Sequence, residues 1–142
     1  ETNFKVISAE ELERIKEEKE KAYQEMVQAV YEKCGALTAH YYTDCVVNFA
    51  ITSNNIEVCD RGSMPKDKGF CRAKLKGDWR ECQKIECDFS CTYENIDTQK
   101  DLCTSWYAVE KKEISICENI KNTEYKDDCK KVIEENLRAH PQ

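Results

Sequence analysis

The sequence predicts an all-α fold of helical hairpin repeats that are stapled by disulfides and preceded by a long N-terminal helix. Only four glycines and two prolines interrupt 142 residues, and residues that favour helix are abundant. The ten cysteines are an even, high count, which is typical of a disulfide framework. Their spacing also repeats along the chain, and this indicates repeated structural units.

The apolar inventory is small for a folded domain of this length. Leu, Ile, Val and Phe together number 27 of 142 residues, close to the composition at which chains stay disordered. Disulfides can supply the missing constraint, and they persist outside the reducing cytosol or inside extreme thermophiles. The Lys- and Glu-rich composition is thermophile-like. We therefore expect an extracellular or cell-envelope protein.

The charge excludes one class of partner. The net charge is −6, the pI is near 5.1, and both signs are mixed along the chain, whereas nucleic-acid binding needs a basic patch. No stretch is apolar and long enough to span a membrane. The chain begins at Glu1 rather than Met, so we expect a processed product, which is compatible with a removed signal peptide or anchor.

The first predicted unit, residues 1–35, is a long helix. Ser8 and Glu11 have the spacing of a capping box, apolar residues then recur at helical intervals, and Gly35 is a plausible terminator. The helix should run from about residue 9 to 34. Its first half is nearly all charged, which fits either a solvated face or a stalk that connects to a partner or to a second copy.

The predicted body, residues 36–142, contains a duplication with copies at about 40–75 and 98–133. Cys45, Cys59 and Cys71 are separated by 14 and 12 residues, and the same two separations follow Cys103. A shift of 58 residues also superposes apolar positions between the cysteines, for example Ala50 on Ala108. Three polar residues are candidate helix N-caps in this body: Asp78, Asp97 and Asn122.

The spacing limits which cysteines can pair. Cysteines 12 apart on one straight helix would be about 18 Å apart, whereas a disulfide needs Cα atoms within about 7 Å, so the chain must turn back between partners. One scheme pairs the cysteine at the end of each helical unit with the cysteine at the start of the next unit, so that all bonds are local in sequence. Other pairs, such as Cys45–Cys59, remain possible. The scheme is Cys34–Cys45, Cys59–Cys71, Cys91–Cys103 and Cys117–Cys129, with Cys82–Cys87 left over.

The sequence offers little catalytic or metal chemistry. Cys82, Cys87 and Cys91 form a tight thiol cluster that could serve a metal or redox site, but Cys-x-x-Cys pairs, which such sites usually use, are missing. No nucleophile motif or metalloprotease motif occurs. We expect no catalytic residue, metal or cofactor. The alternatives are a metal or redox protein that uses the cluster, and a secreted hydrolase with unidentified carboxylates.

Aromatic residues are the remaining candidates for recognition, since aromatics dominate both interfaces and lean cores. Trp106 and Tyr107 are flanked by the apolar positions of the repeat, so we expect them in the core. Tyr41 and Tyr42 are a possible interaction surface. His40, beside them, is expected on the surface or in packing rather than as a base.

The segment from Asp101 to Cys129 carries a pattern of Asp-x-Cys, Ile-x-Ile-Cys-Glu-x-Ile and Lys-Asp-x-Cys. This pattern resembles a short helical cysteine repeat of extracytoplasmic archaeal proteins with no assigned function. The copy from Cys45 to Cys71 is degenerate, because Asp60-Arg-Gly62 replaces Glu-x-Ile. The resemblance implies a location outside the cytoplasm and no activity. Together these observations predict a non-catalytic interaction or scaffold module of a secreted or cell-envelope protein.

Overall fold

The computed structural model describes residues 6–86 and 95–139, and every regular element in these ranges is helical. The all-α prediction with disulfide staples is therefore confirmed. The six α-helices and two 3₁₀ helices follow in chain order: α1 (Ala9–Cys34), α2 (Ala39–Ser53), η1 (Ile56–Arg61), α3 (Pro65–Lys76), η2 (Trp79–Lys84), α4 (Ile96–Lys111), α5 (Ile114–Cys117) and α6 (Thr123–Ala139).

Side-chain caps fix the helix starts. Ser8 caps α1 by accepting a hydrogen bond from the backbone N–H of Glu11 at 3.1 Å, and α1 spans the predicted residues. Asp78 and Asn122 also cap the helices that follow them. The N-cap predicted at Asp97 is wrong. Asn95 caps α4 instead by accepting from the N–H of Thr98, because the helix starts two residues earlier than a cap at Asp97 requires.

The described chain forms four units of the same construction. In each unit one cysteine lies on a return element, which is the segment where the chain turns back before the next long helix. The long helix that follows carries a second cysteine, and a disulfide joins the two. The return elements are the end of α1, η1, η2 and α5, and the long helices are α2, α3, α4 and α6. The four bonds have Cα–Cα distances between 5.4 and 5.9 Å and are Cys34–Cys45, Cys59–Cys71, Cys82–Cys103 and Cys117–Cys129.

Three of the predicted pairs are confirmed and two are wrong. Cys82 bonds to Cys103, so neither Cys82–Cys87 nor Cys91–Cys103 forms; Cys87 and Cys91 themselves lie outside the described residues. The error has a structural cause. Cys82 lies on a return element, but it is separated from Cys103 by 21 residues, nine more than Cys59 is from Cys71, and a uniform spacing of 12 skips over it.

The structure shows a third copy of the repeat between the two predicted ones. After α2, α3 and α4 the chain passes one residue in the left-handed region, at Asn54, Gly77 and Lys112 respectively. The next N–H then bonds back to the carbonyl of a fully buried alanine, which is Ala50, Ala73 or Ala108. This is a Schellman-type helix end. Each alanine lies nine residues before the cysteine of the following return element, so the turn places that cysteine.

Packing divides the interior into two clusters. One contains buried side chains of α1, α2 and η1, including Met26, Val30 and Val58, and the other contains buried side chains of η2, α4, α5 and α6, including Ile116 and Ile133. Phe70 of α3 packs against both. The middle helix α3 therefore joins the two halves of the array.

Only the second half of α1 belongs to this body. Its buried residues are Met26, Val30 and Cys34, while the side chains from residue 9 to 22 are exposed except for a half-buried Ile15. The helix of 26 residues is about 39 Å long at 1.5 Å per residue. Roughly half of that length has no packing partner among the described residues.

Lys112 follows the end of α4 with its backbone in the left-handed region, where glycine is the most favourable residue. Its φ is 56°, and a side chain in this region costs about 1–2 kcal/mol per residue relative to glycine. We expect Lys112→Gly to raise the free energy of unfolding by about 1 kcal/mol in urea titrations. Lys111→Gly, one residue earlier in the helix, is the matched control and should lower it by about 1 kcal/mol. Equal losses in the two variants would contradict this description of the helix end.

Candidate docking groove

A groove lies between three of the long helices, with α3 as its floor and α2 and α4 as its walls. It consists of two adjoining cavities of about 620 and 390 Å³, both of which are lined by Asp44 and Phe70. The first cavity is also lined by Ala39, His40, Thr43, Ser63, Met64, Lys66, Asp67 and Trp106, and the second by Val47, Asn48, Lys74 and Glu110.

Hydrogen bonds hold both walls against the start of the floor helix. The fully buried Gln99 of α4 accepts from the N–H of Lys66 at 2.9 Å. From the other wall, the hydroxyl of Thr43 donates to Asp67, whose second carboxylate oxygen accepts from the N–H of Met64. A buried polar group with a partner fixes geometry strongly, and Gln99 is such a group. The width of the groove is therefore set by the fold.

The three helices of the groove run in the same sense. Early α2 meets early α3 through Thr43 and Asp67, and further along the two helices Asn48 and Lys74 line the same cavity. Early residues of α4 meet early residues of α3, as in the pair Gln99–Lys66. Late residues meet late ones, because Lys74 forms an ion pair with Glu110 at 2.5 Å. Parallel walls on either side of a shorter middle helix produce a straight trough over α3.

The middle of the groove is aromatic. Phe70 and Trp106 are in edge-to-face contact, with ring centroids 5.9 Å apart and planes at 85°. Trp106 is 36% exposed. The ammonium groups of Lys66 and Lys74 lie 5.7 Å from the centroids of Trp106 and Phe70 respectively, a cation–π arrangement. The groove thus exposes apolar surface beside held cations.

The carboxylates that line the groove differ in whether they have a partner within the described chain. Glu110 pairs with Lys74 and Asp67 caps the start of α3. Asp44, which lines both cavities, is exposed and has no hydrogen bond or ion pair with any described residue. One carboxylate near the middle of the groove is therefore left to solvent.

Of the sequence-predicted surface residues on α2, His40 lines the groove, and Tyr41 and Tyr42 follow it on the same helix. Tyr41 is 62% exposed, and its ring lies 4.0 Å from that of His40, which lines the groove. Tyr42 is half-buried and donates its hydroxyl proton to the carbonyl of Arg61 at 2.7 Å. The role of Tyr41 and Tyr42 in interaction stays a prediction.

The expectation for Trp106 was wrong and that for Tyr107 is confirmed. Tyr107 is buried in the second core cluster, whereas Trp106, the residue before it, faces the groove. Sequence reasoning missed the groove because its residues come from three helices. One signal was available: Lys66, Phe70 and Lys74 recur every four residues, which places them on one helix face.

The described cysteines are all bonded. No thiol is free among the eight, so Cys82 cannot act as a thiolate ligand while it is joined to Cys103. Within residues 6–86 and 95–139, no three side chains of His, Cys, Asp or Glu come together as a metal site would require. Cys87 and Cys91, the other members of the proposed cluster, lie outside these ranges.

Glu81 is the carboxylate that the fold perturbs most clearly by burial and pairing. It is 4% exposed and lies 2.6 Å from Lys84 and 3.2 Å from Lys76. The hydrogen bond from Lys84, assisted by Lys76, holds its pKa below the ordinary 4.5 despite burial. A general acid needs a raised pKa near the working pH, so this arrangement suits an ion pair rather than an acid catalyst.

A scan against family models, a search of curated proteins and a search of solved structures each find no match. In the part of the chain that the structure describes, every helix is too short or too polar to cross a bilayer.

The Glu81 ion pairs should stabilise the fold at neutral pH and weaken in acid. Because the folded-state pKa lies below 4.5, the contribution is complete above pH 4.5 and is lost as the pH falls through the folded value. We expect Glu81→Gln to lower the free energy of unfolding by about 1–2 kcal/mol at pH 7, with a smaller difference at pH 3. Glu57→Gln, on the exposed side of η1, is the control. A loss for Glu81→Gln that grows in acid would contradict the account.

Proposed function

We propose that this chain is a non-catalytic interaction module of a secreted or cell-envelope protein and that it binds a protein partner in the groove over α3. The observation that carries the proposal is the aromatic pair of half-buried Phe70 and exposed Trp106. The pair lies in a trough whose two walls are hydrogen-bonded to the start of α3. Exposed apolar surface at a concave, rigid site is typical of docking surfaces.

The frame around the groove favours binding over catalysis. Four disulfides connect the return elements to the long helices, and each can add about 2–3 kcal/mol by restricting the unfolded chain. A rigid site loses little entropy when it binds. The buried carboxylate Glu81 is neutralised by lysines, and this weakens the case for a hydrolase.

The location rests on the disulfides and on the repeat. Disulfides that staple every unit of the described chain are typical of an oxidising compartment. The resemblance to extracytoplasmic helical cysteine repeats supports the same assignment. A secreted or envelope protein that presents a stable, protease-resistant surface fits both.

The exposed half of α1 would connect this surface to an anchor, a partner or a second copy. Leu12 and Ile15 continue the apolar stripe that Met26 and Val30 bury against the body. Leu12 is 45% exposed, and charged residues surround it. A helix that leaves the body in this way acts as a spacer between the groove and the anchor, partner or second copy at its N-terminal end.

Selection from a phage-displayed peptide library against the oxidised chain tests the proposed function. We expect peptides that bind the wild type and lose about tenfold or more in affinity on Trp106→Ala, the scale of an interface hot spot. Leu137→Ala, an exposed apolar residue near the end of α6, is the matched control and should leave binding unchanged. Helical circular dichroism of each variant checks the fold.

Two results would count against the proposal. A library that yields no peptide above background would leave the groove without a docking role. Peptides that bind equally to the wild type and to Trp106→Ala would place the interaction on another surface.

A further inference from the structure

We infer that the partner segment of the groove is an amphipathic helix with apolar anchors on one face and a basic flank that meets Asp44. The inference rests on the proposed function, since it names the chemistry of the occupant of the same groove.

A helical occupant follows from the architecture of the site. No strand occurs in the described residues, so the groove offers no sheet edge to which an extended segment could add. Its walls are two helices that run in the same sense, with α3 between them. The lining residues of α2 extend from Ala39 to Asn48, about 14 Å along the helix axis. This length matches two to three turns of a helix lying over α3.

Apolar anchors follow from the floor of the groove. Met64, Phe70 and Trp106 present half-buried or exposed apolar surface toward the first cavity. Anchors at i, i+3 or i+4 and i+7 of a helix form one apolar stripe. Such a stripe would cover this surface and remove it from water.

A basic flank follows from the charges. Lys74 of the floor is paired with Glu110, and Lys66 lies over the ring of Trp106, so these two cations are already engaged by the groove. Asp44 is exposed on the α2 wall with no partner among the described residues. The chain as a whole carries a net charge of −6. A Lys or Arg on the occupant would pair with Asp44, and the acidic protein would favour its approach.

Two synthetic helical peptides of about 14 residues (four turns) test the inference. They share one apolar face of Leu and Trp, and their flanks are Lys in one and Glu in the other. Each is labelled with fluorescein and titrated with the oxidised full chain by fluorescence anisotropy. We expect the Lys peptide to bind about tenfold or more tightly than the Glu peptide at low salt. The difference should shrink in 0.5 M NaCl, where the Debye length is on the order of 5 Å and exposed charges are screened from one another.

Variants locate the binding. Asp44→Asn should weaken the Lys peptide by about threefold to fivefold, as for one exposed ion pair, while Asp128→Asn, an exposed carboxylate of α6, should not change it. Trp106→Ala should abolish most of the affinity.

Equal binding of the two peptides, or a Lys peptide whose affinity does not change with Asp44→Asn, would overturn the basic flank. Failure of both peptides would overturn the helical occupant. The proposed function itself fails only if the library selection also yields no peptide that depends on Trp106.

Discussion

The covalent bond between each return element and the next long helix is the constraint on which the rest of the structure depends. A return element of four to six residues, such as α5 or η1, cannot hold its position by its own hydrogen bonds, because short helices are marginal in water. The disulfide fixes it against a helix of 12 to 17 residues. Repeating this step four times builds an array from short-range connections.

This construction explains how a chain with so few large apolar residues forms a folded body. The disulfide sulfurs occupy much of the interior, and seven of the eight described cysteines are buried. Two modest clusters meet at Phe70, and no single large core is needed. Because the described bonds join the return elements to the long helices through mostly buried cysteines, the outer face of the long helices is free to carry a groove.

The sequence could predict the elements better than the site. Helix α1, the short helices around Cys59 and Cys117 and the caps at Ser8 and Asn122 depend on local capping and spacing, which are readable along the chain. The unit at Cys82 was missed because neither of its cysteine intervals matches the other copies. The interval from Cys71 to Cys82 is shorter than its counterparts, and the interval from Cys82 to Cys103 is longer. The groove depends on which face of α4 is covered, and that is decided by contacts between helices. Trp106 and Tyr107 are neighbours in sequence with the same apolar character, yet the rotation of α4 buries one and exposes the other.

The Cys82–Cys103 bond is the direct test of the four-unit array, because it distinguishes that architecture from a simple duplication. Trypsin cleaves after Arg80, Lys84, Lys100 and Lys111 in this sequence, which separates Cys82, the segment with Cys87 and Cys91, and Cys103 into different peptides. Mass spectrometry of the non-reduced digest should find peptide 81–84 joined to peptide 101–111. A peptide 101–111 joined instead to peptide 85–100 would show that the third return element is not stapled to α4, and the account of the array would be wrong.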